Sequence, residues 1–247
     1  MTDRPGHLTR RQTIGALGLA GAGLAFGRGL PAALAGTPDA AAAVACSLTP
    51  AQEEGPFYVA LERIRSNIVG TRTGVPLDLR ITIVDSTTCK PIKGAAVDIW
   101  HADATGRYSD EASNGTTGQT WLRGVQLTDG AGLARFRTIY PGFYAGRVTH
   151  IHVKVHVGGT SSGSTYGGGH VAHTGQLFFP DALGTEIYRL SPYTQDRNQR
   201  TLRSVDRVYR TEHGASAVLT VTRAGGSLRS GGVRGSITLG VDTKASG

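Results

Sequence analysis

Residues 142–152 read Gly-Phe-Tyr-Ala-Gly-Arg-Val-Thr-His-Ile-His and run directly into an alternating segment that ends at Val157. That alternation predicts a strand over Thr149–Val157, in which side chains two apart share a face. His150 and His152 therefore project to one side, and Ile151, Val153 and Val155 to the other. A chain with this segment must build a β layer that buries an aliphatic face. It must also find a use for two imidazoles fixed on the opposite face, with the phenol of Tyr144 six residues upstream. Such a set is the beginning of a metal site. By itself a His-x-His pair is also what a solvated or hydrogen-bonded sheet face looks like, so the rest of the chain has to decide.

The flanking sequence continues the β pattern. Leu77–Asp85 alternates cleanly, Ala95–His101 forms a second run, and Cys89–Gly94 makes the turn between them. Gly124–Thr128 and Ala134–Ile139 read as a hairpin around Asp129–Gly132. A further strand is expected at Gly175–Phe179, and two more, Ala217–Val221 and Gly235–Leu239, close the chain. Short strands at close spacing with Gly, Pro and Asp turns define an all-β fold, an antiparallel β-sandwich whose long loops carry the site. Helical pattern is confined to one or two turns within 180–190, and the Gly/Ser-rich stretch Gly158–Gly169 reads as a mobile loop.

The N-terminus carries an address rather than a fold. A twin-arginine pair, Arg10-Arg11, precedes an apolar run from Ile14 to Phe26, too short for a spanning helix, and Ala33–Ala35 supplies small residues for cleavage. Residues 1–35 are therefore expected to be a signal peptide, 36–45 an Ala-rich linker, and 46–247 one exported domain, with no membrane attachment after cleavage. Loss of Arg4, Arg10, Arg11, Arg28 and Asp3 lowers the net charge from +8 to +5. The remaining basic residues form no run and no basic-aromatic stripe, which argues against nucleic acid. The two cysteines, Cys46 and Cys89, both lie in the exported part, where an even count favours a disulfide.

Five blocks, in order, resemble the intradiol ring-cleavage dioxygenases. They are Glu54–Tyr58; Val97–Asp103 with Gly106–Ser109; Leu122–Gln126 with Arg137–Tyr144; Arg147–His152; and Thr174–Phe179. Together they run from about residue 46 to 210 and look most like the exported, protocatechuate 3,4-dioxygenase β-like branch. The resemblance implies a non-haem Fe(III) held by Tyr108, Tyr144, His150 and His152, the hard phenolates suiting the trivalent ion. It implies that Tyr144 is the ligand that leaves the metal and takes a proton. Arg147 would stabilise negative charge on the substrate, with Gln176 supporting it by hydrogen bonds. Pro56, Tyr58 and Trp121 would line the substrate pocket. The partners implied are a catechol and O2, and the assembly expected is a monomer or homodimer.

Other readings stay in view. An exported, non-catalytic β-sandwich binding module would explain fold and address but not the placement of two tyrosines. A zinc hydrolase on His150 and His152 lacks a third ligand and a general-base carboxylate at sensible spacing. His156 shares the strand with the pair but lies ~13 Å further along it, too far for the same ion. His101 reads as structural, and His170 and His173 as part of a solvated loop. A carboxylated substrate would want a cation beyond Arg147, for which Arg107 and Arg123 are candidates, and the choice among catechols is left open.

Overall fold

The alternation of β1 (Pro76–Asp85) explains the first layer. Leu77, Leu79, Ile81 and Ile83 are fully buried, while Asp78 and Arg80 on the other face are only half-buried. The computed structural model describes residues 46–60 and 63–244. The expected signal peptide and linker lie outside the described residues. The remaining strands are β2 (Ala96–Trp100), β3 (Arg123–Leu127), β4 (Leu133–Ile139), β5 (His150–Val157), β6 (Thr160–Ser162), β7 (Thr165–Gly167), β8 (His170–Phe178), β9 (Thr220–Arg223) and β10 (Val233–Val241). Two short helices, α1 (Asp181–Ile187) and α2 (Arg207–Thr211), follow β8. No helix among the described residues is long and apolar enough to cross a membrane.

Two four-stranded sheets, ordered β4-β1-β10-β9 and β3-β2-β5-β8, pack face to face. Their inner faces share one core, in which Leu79, Ile81, Phe136 and Leu239 of the first sheet join Val97, Ile99, Ile151, Val153 and Leu177 of the second. The expected β-sandwich is present. Its ladders are antiparallel except one, since β10 runs parallel to β1 along its whole length, from Leu77↔Val233 to Asp85↔Val241. Alternation fixes which face a residue takes but not the direction of its neighbour, so this pairing had no signature in the sequence.

Gly158–Gly169 departs from expectation. It is a hairpin, β6 paired with β7, rather than a mobile loop. Tyr166 pins it: the ring is buried against Ala96 and Val125, and its hydroxyl accepts the Gly159 N–H at 3.0 Å. The Ile64 N–H donates to the Ser164 carbonyl at 2.7 Å, which ties the hairpin tip to the N-terminal segment. Strand β8 therefore begins at His170, five residues earlier than the sequence pattern places it. His170, expected in a solvated loop, pairs with Val157, and His173 is buried opposite Val155.

The two sheets differ in what covers them. The outer face of the first is open to solvent. Over the second lie residues 52–60 and 63–70 and the loop between β2 and β3, and β5 is buried on both faces as a result. The backbone joins this roof to the sheet, with Gln52 N–H donating to the Thr174 carbonyl at 2.9 Å and Arg65 N–H to the Val125 carbonyl at 3.0 Å. The arm that leads into the roof runs beside β10 and is fixed at its start by a disulfide, Cys46–Cys89, which closes a sequence separation of 43. Serine at both positions is expected to lower stability by up to about 4 kcal/mol through the freed chain entropy of the unfolded state. A thermal melt of the double variant against the oxidised protein measures this, and reduction of the parent should reproduce it.

Candidate functional site

Under this roof the side chains of β5 that point away from the core meet two loop tyrosines. His150 and His152 are both buried, and their Nε2 atoms lie 3.1 Å apart. The Tyr144 hydroxyl is 3.4 Å from His150 Nε2, and the hydroxyls of Tyr108 and Tyr144 interact. The four residues proposed from the sequence are thus brought together, although Tyr108 is 44 positions from His152. Gln176 lies directly opposite His152 in the β5–β8 ladder, so the added hairpin leaves its register intact.

Each side chain is fixed by identifiable contacts. The His150 Nδ1 sits 2.6 Å from the Val148 carbonyl, which assigns its proton to Nδ1 and leaves a lone pair on Nε2. The His152 ring stacks on Trp100 at 4.9 Å and 4°. Gly55 passes over its other side. A Cβ there would come within 3.1 Å of Cε1, and the residue has a φ of +72°, so only glycine gives the backbone this approach.

Tyr108 is held from below by Arg123, whose Nη2 and Nε donate to the carbonyl and hydroxyl of Ser109 at 2.7 and 2.9 Å and whose Nη1 donates to the Phe57 carbonyl at 2.6 Å. Arg123 is therefore a buried strut, committed to the backbone and unavailable for a substrate carboxylate. Arg107, the other cation proposed for that task, is half-exposed and lies 3.8 Å from Asp103. Asp103 shapes the turn ahead of Tyr108 by accepting from the N–H and hydroxyl of Thr105 and the N–H of Arg107.

The residues expected to line the pocket take different places around the phenols. Phe57 stacks on Tyr108 at 4.3 Å and meets Tyr144 edge-on at 5.5 Å. It, rather than its neighbours Pro56 and Tyr58, touches both phenols. Pro56 is exposed. Tyr58 packs on Trp100 and lies 3.6 Å from the Lys154 ammonium, which Glu54 also holds. Trp121 belongs elsewhere: it sits in the core under Arg72, whose guanidinium lies 4.7 Å from its ring, and bonds to Gln119. An aromatic residue after a loop gives no sign of which side of the sheet it will close.

Arg147 is the hub of the charged groups. Its Nη1 lies 3.4 Å from the Tyr144 hydroxyl, its Nη2 donates to Gln176 Oε1, and its Nε donates to Asp206 at 2.8 Å. Glu53 approaches the same guanidinium at 3.5 Å. Asp206 is wholly buried, and also accepts the Val148 N–H at 2.8 Å and the Tyr209 N–H at 2.7 Å as the N-cap of α2. Gln176 Nε2 in turn donates to the Glu53 carbonyl at 2.9 Å. Sequence reasoning missed Asp206 and Glu53. Neither lies in a motif, and Asp206 is 59 residues from the arginine it holds.

Electrostatics define what this cluster can bind. Burial pushes the Tyr108 phenol well above its ordinary value, with the neighbouring Tyr144 adding to the effect. Tyr144 is raised by burial too, with Arg147 opposing it. Burial, then Arg147, lowers His150 to about 3; burial, then His150, takes His152 well below its usual value. Two neutral imidazoles and two phenols thus converge, with His152 Nδ1 buried and unpartnered. Arg147 beside them is already paired with Asp206 and Glu53. Donor atoms 3.1–3.4 Å apart are spaced like neighbours around a cation with bonds of about 2 Å. Phenolates need such a cation to form here at all, and hard oxygen donors favour a highly charged one. Among the described residues no group of three or more His, Cys, Asp or Glu could hold a metal, so the tyrosines are needed to complete a donor set here.

The molecule has relatives with this architecture. The family model Dioxygenase_C, a dioxygenase model, matches residues 53–161. The structure of an intradiol ring-cleavage dioxygenase from Tetranychus urticae is 33% identical and superposes with a TM-score of 0.70 over 82% of this chain and 98% of that one. The chain belongs to the intradiol ring-cleavage dioxygenase family. The dioxygenase domain of a dioxygenase carbohydrate-binding protein fusion from Streptomyces sp. SirexAA-E is 28% identical, with a TM-score of 0.56 over 79% of this chain and 99% of that one. Catechol 1,2-dioxygenase 1 of Acinetobacter lwoffii is 33% identical over 97 residues, 38% of this chain and 31% of that enzyme. The match thus spans about a third of the curated relatives. This member of the intradiol family places its four-residue cluster on one strand and two loops, and it surrounds the cluster with a charged frame.

The frame predicts a pH-dependent stability. Burial opposes ionisation of Asp206, yet the Tyr209 N–H, Arg147 and the Val148 N–H outweigh it and hold the carboxyl below its ordinary 3.8. A depressed carboxyl stabilises the fold above its unfolded pKa, and that contribution is lost as pH falls through the folded value. Asp206→Asn is expected to destabilise by on the order of 3 kcal/mol at neutral pH. The gap to the parent should close progressively below about pH 4. Urea melts of both proteins across pH 3–7 measure it.

Proposed function

We propose that this intradiol dioxygenase is an exported, non-haem Fe(III) enzyme that opens catechol-type rings between the two hydroxyl-bearing carbons. Both atoms of O2 enter the product, a cis,cis-muconate-type diacid. The observation that carries the proposal is the convergence of two phenols and two neutral imidazoles beside the partly buried Arg147. Tyr108, Tyr144, His150 and His152 would hold the iron. When bound, Fe(III) supplies Lewis-acid activation of a doubly deprotonated catechol toward O2.

The protein's own contribution can be assigned residue by residue. Tyr108 is almost fully buried, stacked on Phe57 and tied to Arg123 through its neighbour Ser109, so it stays in place. Tyr144 is only partly buried and opens onto the exposed turn at Ala145 and Gly146. It is the phenol free to swing aside and take a proton from an entering catechol. Arg147 stands 3.4 Å from the Tyr144 hydroxyl, with its guanidinium plane locked by Asp206 and Gln176. It is a prepositioned cation for negative charge that develops on substrate oxygen and ring, in a site where low dielectric strengthens the interaction. Phe57 supplies an apolar wall that excludes water and offers a face for an aromatic substrate. The twin-arginine leader is the basis for placing the enzyme outside the cytoplasm.

Visible spectroscopy tests the assignment. The iron-loaded protein is expected to be coloured by phenolate-to-Fe(III) charge transfer, and anaerobic catechol should shift the band to longer wavelength. Tyr108→Phe should lose much of the band, and Tyr144→Phe should keep part of it but lose ring cleavage. A protein that stays colourless after Fe(III) loading contradicts the proposal and favours a binding module. Arg147→Lys, which keeps the charge but breaks the fork that Asp206 and Gln176 hold, is expected to keep the colour and lose roughly 100-fold in kcat/KM. Oxygen uptake with catechol reads this out.

A further inference from the structure

The outer face of the first sheet carries charge that the catalytic site does not use. Alternation puts Asp78 and Arg80 of β1, Arg135 and Arg137 of β4, and Arg234 of β10 on that face. Register arranges them in two rows across the strands, Arg137–Asp78–Arg234 and Arg135–Arg80–Ser236. These arginines are scattered through the sequence, and the fold alone collects them.

Their charge is poorly compensated. Asp78 is the one carboxylate within the rows, and it accepts from Arg80 at 3.1 Å and from Arg234 at 3.3 Å. Asp129, in the turn before β4, acts on Arg135, but its carboxylate already accepts from the Ala131 and Leu133 N–H groups. Arg80 and Arg135 stand directly opposite each other, the arrangement in which like charges weaken a sheet. Arg80 Nε is buried with no partner. Arg135, Arg137 and Arg234 are exposed, and a cavity of about 360 Å³ opens between Arg137 and Arg234. A sheet that tolerates this much repulsion gains stability from an anion laid across it.

The chemistry of the face selects among anions. Exposed hydroxyls of Ser236 and Thr222 sit beside the guanidiniums, on the strand partners of Arg80 and Arg234. The face has no aromatic residue on which bases could stack, and its apolar side chains, Leu133 (opposite Thr82) and Val84, are partly or fully buried rather than offered to a bilayer. A second copy related by a two-fold axis would set arginine against arginine. We propose that this face docks an acidic polysaccharide, a polymer of uronate sugars. Guanidinium forks would pair with its carboxylates and the neighbouring hydroxyls with its sugar hydroxyls. The proposal stands independently of the reaction at the iron site.

Binding of polygalacturonate to the full chain at low ionic strength, followed by calorimetry, tests it. The triple variant Arg135→Gln, Arg137→Gln, Arg234→Gln should bind about tenfold more weakly or worse. The charge-matched triple Arg63→Gln, Arg189→Gln, Arg197→Gln, all exposed positions elsewhere, should stay within about twofold of the parent. The double variant Arg137→Gln, Arg234→Gln provides a milder lesion and should lose about threefold or more. Equal losses in both triples would reduce the effect to net charge and overturn the proposal, as would no loss in either. Single-stranded DNA or phosphatidylglycerol vesicles that bind more tightly than polygalacturonate would overturn the assigned partner class.

Discussion

Strand β5 is buried on both faces, and the functional site follows from that single constraint. Its aliphatic residues go into the sandwich core. Its polar residues would normally meet water, but residues 52–60 and 63–70 and the β2–β3 loop cover them. Imidazoles taken out of water this completely are held neutral, and the phenols that roof them resist ionisation. Neutral nitrogen donors thus stand beside phenols that burial keeps protonated, with Arg147 paired to Asp206 and Glu53. A cation set among them would meet donors that burial has already stripped of water.

Three buried charged residues turn loops into a rigid roof. Asp103 folds the turn before Tyr108, Arg123 binds Ser109 and Phe57 from beneath, and Asp206 joins Arg147 to the start of α2. None of them is placed to touch a substrate. Each replaces water around backbone groups that the loops would otherwise leave exposed or unpaired, so the roof keeps its shape without a sheet ladder of its own. The two tyrosines inherit unequal freedom from these struts. Tyr108 is buried and its neighbour Ser109 is held by Arg123, whereas Tyr144 is partly buried and its hydroxyl makes contacts of 3.4 Å to Arg147 and His150.

Much of this was legible in the sequence, and the exceptions have a common cause. Alternation located β1 to β5 to within a residue or two, because each buries one aliphatic face. The grouping of Tyr108, Tyr144, His150 and His152 followed from the resemblance to a family rather than from spacing. What could not be read were relations between distant residues. Arginine is ordinarily a surface residue, so the burial of Arg123 and its service to Ser109 and Phe57 had no signal. Asp206 and Arg147 meet only in the folded chain. The Gly-rich stretch looked like a loop because its two strands have three residues each, below the length at which alternation is visible. The sequence reading put Trp121 among the pocket walls and did not single out Phe57, which only the path of the roof brings onto the two phenols.

The parallel pairing of β1 with β10 has a kinetic consequence. Strand β1 lies at the centre of the first sheet, flanked by β4 and by β10, and its partners in β10 are 156 residues further along the chain. Hairpin-like contacts can form as the chain emerges, but this ladder has to wait until the last strand has been made. Closing so long a loop is slow, and contacts of this range dominate the folding rate of β proteins. Until then β1 exposes an unpaired aliphatic edge, which makes the interval between synthesis and closure the period in which this enzyme is most open to aggregation and most dependent on chaperones.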